Sequence, residues 1–350
     1  MDLAAAQLFS KQIIDRVRGK HNILIVTHDN PDPDALATAY ALSHLLLMST
    51  GEQPLIASGG VIGRRENRTM VEKLDIEVAA LDDVDCRQFA VICMVDSQPR
   101  TGNGSLPEVC KIDIIIDHHP QRVDPHGDNA AHGGMIVDVR PEYGACATIL
   151  YEYLLAQDIY IGTRLATALF YAIRSETQDL GREWSNPDRT AYQKLLPLSN
   201  NRILFEISRA KVPADYFLNF SQALNSARVY HDILVFNMFE VEHPDMVAEL
   251  TDFLLRVEGV SVVLGMGCYA EQEVLSFRTD RADIFAGQVI RDVVDGLGTA
   301  GGHGMIAGGQ IRPMLGDHKE QSGLEKILTQ RLIKVLGYQP VRGHRLLAGA

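Results

Sequence analysis

The sequence predicts an α/β protein of two units: a parallel sheet with helices on both faces, then a smaller α/β unit. Three observations carry that prediction. Short runs that are apolar throughout alternate with stretches of helical periodicity across residues 1–200, as they do in strands buried on both faces. A helical connector follows at 201–230, and the alternation resumes over 231–315. At 350 residues the chain is also longer than one hydrophobic core usually supports.

The opening MDLAAAQLFSKQII reads as an amphipathic helix rather than a signal peptide. No apolar run is long enough to span a bilayer, so a cytoplasmic protein without a membrane partner is expected. NILIVT (22–27) is a β-branched strand, and DALATAYALSHLLLM (34–48) has helical apolar spacing with Asp34 near its N-terminus. PLIAS, a polar helix near 65–74, the strands FAVICMVD (89–96), KIDIIID (111–117) and MIVDV (135–139), and a helix over 143–156 follow. From 162 to 198 the pattern is helical, interrupted at SETQDLGREWSNPD.

In the second unit ILVFNMFEV (233–241), SVVLGMGCYA (261–270) and EVLSFRT (273–279) read as strands. Helices are expected from DMVAELTDFLLRVEG and DIFAGQVIRDVVDG, before the glycine-rich GLGTAGGHGMIAGGQIR. The tail, 316–350, holds one amphipathic stretch, LEKILTQRLIKVL, suited to packing on the domain or to a homodimer contact.

Composition narrows the function classes. Hydrophobic content of 46% fits a globular enzyme, and five cysteines without a CxxC pair read as reduced thiols. The formal net charge of −12 disfavours long duplex nucleic acid, whose phosphates need Lys and Arg. A small phosphorylated substrate in a local basic pocket is allowed, and divalent cations suit the acidic balance.

THDNPDPDALATAY (27–40) crowds His28, Asp29, Asp32 and Asp34 at the end of an apolar strand. Ionised groups this close repel one another, so the loop is well solvated or holds a cation. Two more strands end in acids, at Asp96 in MVDSQ and at Asp117 in IIIDHHPQ. Ligands of open α/β folds sit beyond the carboxyl ends of parallel strands. A lone strand-end Asp is often a helix cap, but three such ends together with His118 and His119 predict a metal site. Mixed carboxylate and imidazole ligands point to Mn²⁺ or a relative before Ca²⁺ or structural Zn²⁺.

HDNPDPDA, VDSQ, IDHHPQ and GGHGMIAGG together resemble the DHH/DHHA1 phosphoesterase superfamily over about residues 20–315. That group includes RecJ-type exonucleases, nanoRNase and pAp phosphatases, and cyclic-dinucleotide phosphodiesterases. Family II pyrophosphatases share only the first domain, and GGHG argues against them. The resemblance implies a DHH domain, a DHHA1 domain and an active site in the cleft between the two.

It further implies that His28, Asp32, Asp34, Asp96 and His118 ligate two ions, Mn²⁺ with Mg²⁺ or Co²⁺ as substitutes, and that Asp96 bridges them. Asp117 orients its neighbours, His119 meets the scissile phosphate, and Asp29 is left as a solvated loop residue. The family's last ligand is an Asp, where YAIRSETQDLG supplies Glu176. Asp179 is the alternative, and Glu176 is favoured by its place in the motif. Arg278, Gly301, Gly302 and His303 would hold the far end of the substrate. Arg100 contacts a phosphate or sits on the surface, while Tyr143 and Cys146 pack their helix.

The expected reaction is hydrolysis of phosphodiester or phosphomonoester bonds of short nucleotides, namely linear dinucleotides, nanoRNA or pAp, by a hydroxide activated by two metals. The alternatives are a cyclic-dinucleotide phosphodiesterase or a catalytically weakened nucleotide-binding regulatory protein, the latter prompted by Glu176.

Overall fold

A computed structural model describes residues 2–120, 134–312 and 318–347, and the chain divides into two units, Met1–Ala210 and Lys211–Ala350. In the first, six parallel strands run β1 (Ile23–Val26), β2 (Leu55–Ser58), β3 (Ala79–Ala80), β4 (Val91–Val95), β5 (Ile114–Asp117) and β6 (Ile136–Val139). Their spatial order is β3-β2-β1-β4-β5-β6. β1, β4 and β5 are buried at every position, which is why their sequences are apolar without alternation.

Ile23, Ile25, Cys93, Val95, Ile114 and Ile116 face a core shared with the helices α1 (Leu3–Val17), α2 (Pro33–Thr50), α3 (Arg65–Leu74), α4 (Cys146–Ala156) and α5 (Thr163–Glu176). α6 (Asn186–Leu195) and α7 (Asn201–Ser208) add Leu195, Leu204 and Ile207 to it. On the opposite face Leu24, Val26, Ala57 and Ile92 pack against Leu81, Cys86 and Cys110, carried by short 3₁₀ turns and a loop.

The expectation that all five cysteines are reduced thiols needs correcting. Cys86 and Cys110 are joined as a disulfide across 24 residues, while Cys93, Cys146 and Cys268 are free and buried. The turn before β4 and the loop before β5 bring the pair into the same apolar cluster. An odd count requires only one leftover cysteine, and spacing alone does not exclude a single long-range bond.

The chain leaves β1 toward β2 and β3, then crosses back to β4 on the other side of β1. This reversal opens a crevice beyond the carboxyl ends of β1 and β4. The three acid-bearing strand ends all sit there.

The second unit is a mixed seven-stranded sheet ordered β11-β12-β10-β9-β8-β7-β13. Its strands are β7 (Arg228–Tyr230), β8 (Ile233–Glu240), β9 (Val262–Tyr269), β10 (Gln272–Thr279), β11 (Gly298–His303), β12 (Ile306–Ile311) and β13 (His344–Arg345). α8 (Ala214–Ser226) and α9 (Asp245–Leu254) cover one face. α10 (Ala286–Val294) and α11 (His318–Val335) cover the other.

The segment expected to be a single connector is therefore divided. α7 buries Leu204 and Ile207 in the first core, whereas α8 and β7 belong to the second unit. The tail is integral to the second unit, because α11 contributes Leu328, Leu332 and Ile333 to its core and β13 extends its sheet. Among the described residues no helix is long and apolar enough to cross a membrane.

Candidate metal centre

Asp32 caps α2, its Oδ1 accepting the amides of Asp34 at 2.8 Å and Ala35 at 3.0 Å, and Pro33 supplies the first helical φ. This fixes the DNPDPD loop at the end of β1. Asp34 is fully enclosed: its Oδ2 accepts the Cys146 amide at 2.6 Å and its Oδ1 the Ala147 amide at 2.8 Å. Those amides begin α4, whose N-terminus favours a carboxylate.

Each of the two deep histidines is oriented by a carbonyl. His28 Nδ1 lies 2.8 Å from the Asp29 carbonyl oxygen, and His118 Nδ1 lies 3.1 Å from that of Tyr143. A carbonyl can only accept, so Nδ1 carries a proton and the lone pair open to an ion is that of Nε2, the arrangement found in metal-ligating histidines. Both lone pairs converge on Asp96. His28 Nε2 is 3.6 Å from Asp96 Oδ2 and 3.9 Å from Asp32 Oδ1. His118 Nε2 is 3.5 Å from Asp96 Oδ1 and 3.7 Å from Asp34 Oδ2.

These separations decide between two chemistries. Direct hydrogen bonds would bring the atoms to about 2.7–3.2 Å. Two donors about 2.1 Å from one ion, at coordination angles of about 90–120°, lie about 3.0–3.6 Å apart. The observed spacings match the second within a few tenths of an ångström. Two groups have the compactness an ion requires, His28, Asp32, Asp96 and Asp96, His118, His119, and Asp96 is common to both. Among the described residues no hydrogen-bond donor reaches the buried Asp96 Oδ1. Asp96 also holds a left-handed backbone, φ 53°, a strained conformation of the kind found at functional sites.

Electrostatics agree. Burial, and then the neighbouring Asp34 and Asp32, push the Asp96 carboxyl well above its ordinary range. Burial likewise raises Asp34 to about 7, with His118 opposing and Asp32 and Glu176 reinforcing. Burial works against a charge on His118, yet Asp96 and Asp34 carry it up to about 9. A divalent cation among these groups would keep the carboxylates ionised and displace the imidazole proton. The residues present thus fit the ions that the sequence implied.

Asp117 is turned away from this set. Its Oδ1 accepts from the His118 amide at 2.9 Å and faces His119 Nδ1 at 2.8 Å, while its Oδ2 accepts from Gln98 Nε2 at 2.6 Å. Burial would raise Asp117, but the hydrogen bonds from His119 and Gln98 and the nearby imidazoles hold it below its ordinary value. An ionised Asp117 therefore orients His119. The side chain of His119 is 33% exposed against 6% for His118, so His119 is the one a substrate can reach.

Glu176 ends α5, and its charge is felt at both Asp34 and His118. Asp179 instead accepts from Arg174 Nε at 2.9 Å and Tyr192 Oη at 3.0 Å, with its side chain 58% exposed.

One expectation changes on the first unit's loops. Asp29 is not merely solvated, since its carboxylate accepts from the amide of Ser105 at 2.9 Å and from its hydroxyl at 2.5 Å. This ties the loop after β4 to the loop after β1, and a Cβ at Gly59 would collide with that carboxylate. Arg100 lies exposed on the same β4 loop with φ 63°.

Tyr143 does more than pack. Besides its carbonyl contact to His118, its hydroxyl donates to Glu152 at 3.1 Å. Glu152 also receives Arg140 Nη1 at 2.8 Å, and Arg140 forks onto Asp138, which accepts from Tyr153 at 2.6 Å. This buried network braces the turn that supplies the His118 and Asp34 contacts. Its members follow no local motif, and sequence reading missed it; Gln98, within the quoted VDSQ, was visible but had no assigned role.

In the second unit the glycine-rich stretch is a β-hairpin, with Gly301 opposite Gly308 and His303 opposite Ile306. Of its glycines Gly296, before the hairpin, and Gly304, at its turn, have positive φ. The others permit close approach: a Cβ at Gly302 would strike the Ile306 carbonyl, and one at Gly287 of α10 would strike that of Gly302. Arg278 on β10 is 8% exposed. Its Nε donates to Asp252 at 2.6 Å and its Nη1 to Ser276 Oγ at 3.1 Å and the Ala307 carbonyl at 3.4 Å.

A model of the DHH family N-terminal domain matches residues 22–173, the span that carries β1, β4, β5 and the ligand cluster. Residues 22–173 belong to the DHH family. An uncharacterized protein of Methanocaldococcus jannaschii is 33% identical over 327 residues, 91% of this chain and 65% of that protein, so the chain spans just under two thirds of this relative's length. The crystal structure of an exopolyphosphatase-related protein from Bacteroides fragilis superposes with a TM-score of 0.72 at 13% identity, covering 94% of this chain and 98% of that one. At that identity the likeness concerns the fold alone. RecJ from Thermus thermophilus in complex with Mn²⁺ gives a TM-score of 0.49 at 14% identity over 98% of this chain and 56% of that one, too slight a likeness to argue from. The matched DHH domain thus has its carboxylate and histidine cluster at the switch point of its sheet.

Proposed function

We propose that the chain is a metal-dependent phosphoesterase that hydrolyses short nucleotides, with linear dinucleotides, nanoRNA and pAp foremost. The observation that carries this reading is Asp96, a buried carboxylate shared by two candidate ligand groups, one oxygen of which meets no donor among the described residues. His28, Asp32, Asp34, Asp96, His118 and Glu176 would hold the ions, Mn²⁺ first and Mg²⁺ or Co²⁺ as substitutes. Such a pair supplies a hydroxide near neutral pH and neutralises charge on the phosphoryl oxygens.

The protein's own groups do the rest. His119, held by Asp117, hydrogen-bonds an oxygen of the reacting phosphate through Nε2. The Asp29–Ser105 contact holds the β1 and β4 loops together, so the ligands of both groups stay in register. In the second unit, a DHHA1 domain on this reading, His303 with Gly301 and Gly302 recognises the far end of the nucleotide. Arg278 supports their hairpin through the Ala307 carbonyl.

The test is a hydrolysis panel of linear dinucleotides, pAp and cyclic dinucleotides with Mn²⁺, run on the parent chain and Asp96→Asn. The variant should fold normally, bind at least one ion fewer and lose turnover. Undiminished turnover in Asp96→Asn, or no hydrolysis of any phosphate ester by the parent chain with Mn²⁺, Mg²⁺ or Co²⁺, overturns the reading.

A further inference from the structure

A second polar cluster lies in the second unit. On its sheet Cys268 of β9 stands opposite Glu273 of β10, and Asn237 of β8 stands opposite Met266. Side chains two apart on a strand share a face, so Asn237, Cys268 and Glu273 line the face that packs beneath α11. On α11, Gln321 and Glu325 continue the stripe of Leu328 and Leu332, the spacing of one helix face. The apolar half of that stripe closes the core. The polar half lies over Glu273, and Asn237 Nδ2 donates to Glu325 Oε2 at 3.5 Å.

Glu273 and Gln321 are each 1% exposed. Among the described residues no hydrogen-bond partner lies in reach of either carboxylate oxygen of Glu273, and the buried Gln321 amide has only the weakly interacting Cys268 thiol beside it. Burying unpartnered polar groups is expensive, about 1–3 kcal/mol each and more for a charge. An acid and an amide meant only for each other would bond directly, and these two do not. Burial, and then the charge of Glu325, push the Glu273 carboxyl up to about 7.

We propose that Glu273, Glu325 and Gln321 bind a divalent cation of the hard, oxygen-preferring class, at a site separate from the DHH metal centre. Both Glu273 oxygens, one from Glu325 and the Gln321 carbonyl give four oxygen donors, with water completing the shell of six to eight that such ions take. Asn237 steers Glu325. Cys268 stays a neutral thiol, because burial and then Glu273 raise it, and hard ions pass over sulfur. The site lies at the opposite end of β10 from Arg278, about 17 Å away at ~3.3 Å per residue. It does not depend on the phosphoesterase reading.

The full chain, stripped with chelator, is dialysed to equilibrium separately against Ca²⁺, Mg²⁺ and Mn²⁺. With at least one of these ions, Glu273→Gln should bind one ion fewer than the parent chain, and Asp96→Asn should retain that ion. The same ion should raise the melting temperature of Asp96→Asn but not that of Asp96→Asn/Glu273→Gln. Gln321→Glu, which adds a charge without removing a donor, should tighten binding tenfold or more, so the test survives a misfolded Glu273→Gln. Unchanged stoichiometry in a folded Glu273→Gln, or no tightening in Gln321→Glu with any of the three ions, overturns the proposal and leaves Glu273 a protonated core acid.

Discussion

Glu152→Gln tests whether the buried network behind α4 serves the metal centre or only the fold. Glu152 is fully buried and accepts from Arg140 at 2.8 Å and from Tyr143 at 3.1 Å. The amide keeps one acceptor oxygen and nearly the same volume, while Arg140 keeps its fork on Asp138. A charged hydrogen bond worth about 1.5–3 kcal/mol becomes a neutral one of about 0.5–1.5, so the expected loss is about 1–2 kcal/mol. For a unit of this size that lowers the melting temperature by about 2–8 °C. Because Tyr143 also fixes the His118 ring through its carbonyl, Mn²⁺ affinity should fall about 10- to 100-fold, the usual effect of disturbing the partner of a ligating histidine. Equilibrium dialysis gives the affinity, and turnover at saturating Mn²⁺ should stay within a few-fold of the parent. Lost stability with unchanged Mn²⁺ affinity would refute the link between network and ions.

Glu176→Gln should weaken Mn²⁺ binding at least tenfold, whereas Asp179→Asn, whose carboxylate is occupied by Arg174 and Tyr192, should leave it nearly unchanged; the reverse order assigns the ligand to Asp179. Metal affinity should fall with acidity. His118 holds its proton up to about pH 9 and Asp34 up to about 7, and Asp96 is raised as well, so binding ions must displace more protons as the pH falls. Mn²⁺ affinity at pH 6 should therefore be at least tenfold weaker than at pH 8, and a flat profile contradicts the ligand set. Arg278→Lys keeps the charge but loses the fork onto Asp252 and Ala307; if Arg278 works by bracing the hairpin, KM for a dinucleotide rises about as much as in Arg278→Ala, whereas near-normal KM in the Lys variant assigns the effect to charge.

Much of the first unit was legible because β1, β4 and β5 are closed apolar runs with acids at or just beyond their exits, and burial on both faces imposes the apolar run directly. The convergence of His28, Asp96 and His118 follows from strand order, which right-handed crossovers and the switch point constrain. What stayed hidden depends on partners distant in sequence. Arg278 was expected only to hold the substrate, because its partner Asp252 lies 26 residues away on α9. Asp29 looked solvated because Ser105 belongs to another loop, and Cys86 meets Cys110 only once β4 and its flanking turns are in place. Gly301 and Gly302 were expected to help hold the far end of the substrate. Their regular use as small residues in a hairpin under α10 is a matter of packing distance, which composition does not encode.

Asp34 faces His118 with the same oxygen that receives the Cys146 amide. On the proposed ligand set, positive charge arriving there would draw on electron density that also anchors the first turn of α4, so loading the centre would be felt in that turn. The opening of this turn is a local unfolding step with its own free energy. Amide-proton lifetimes at Cys146 and Ala147 should therefore change on addition of Mn²⁺, a readout from two backbone positions that requires neither substrate nor label.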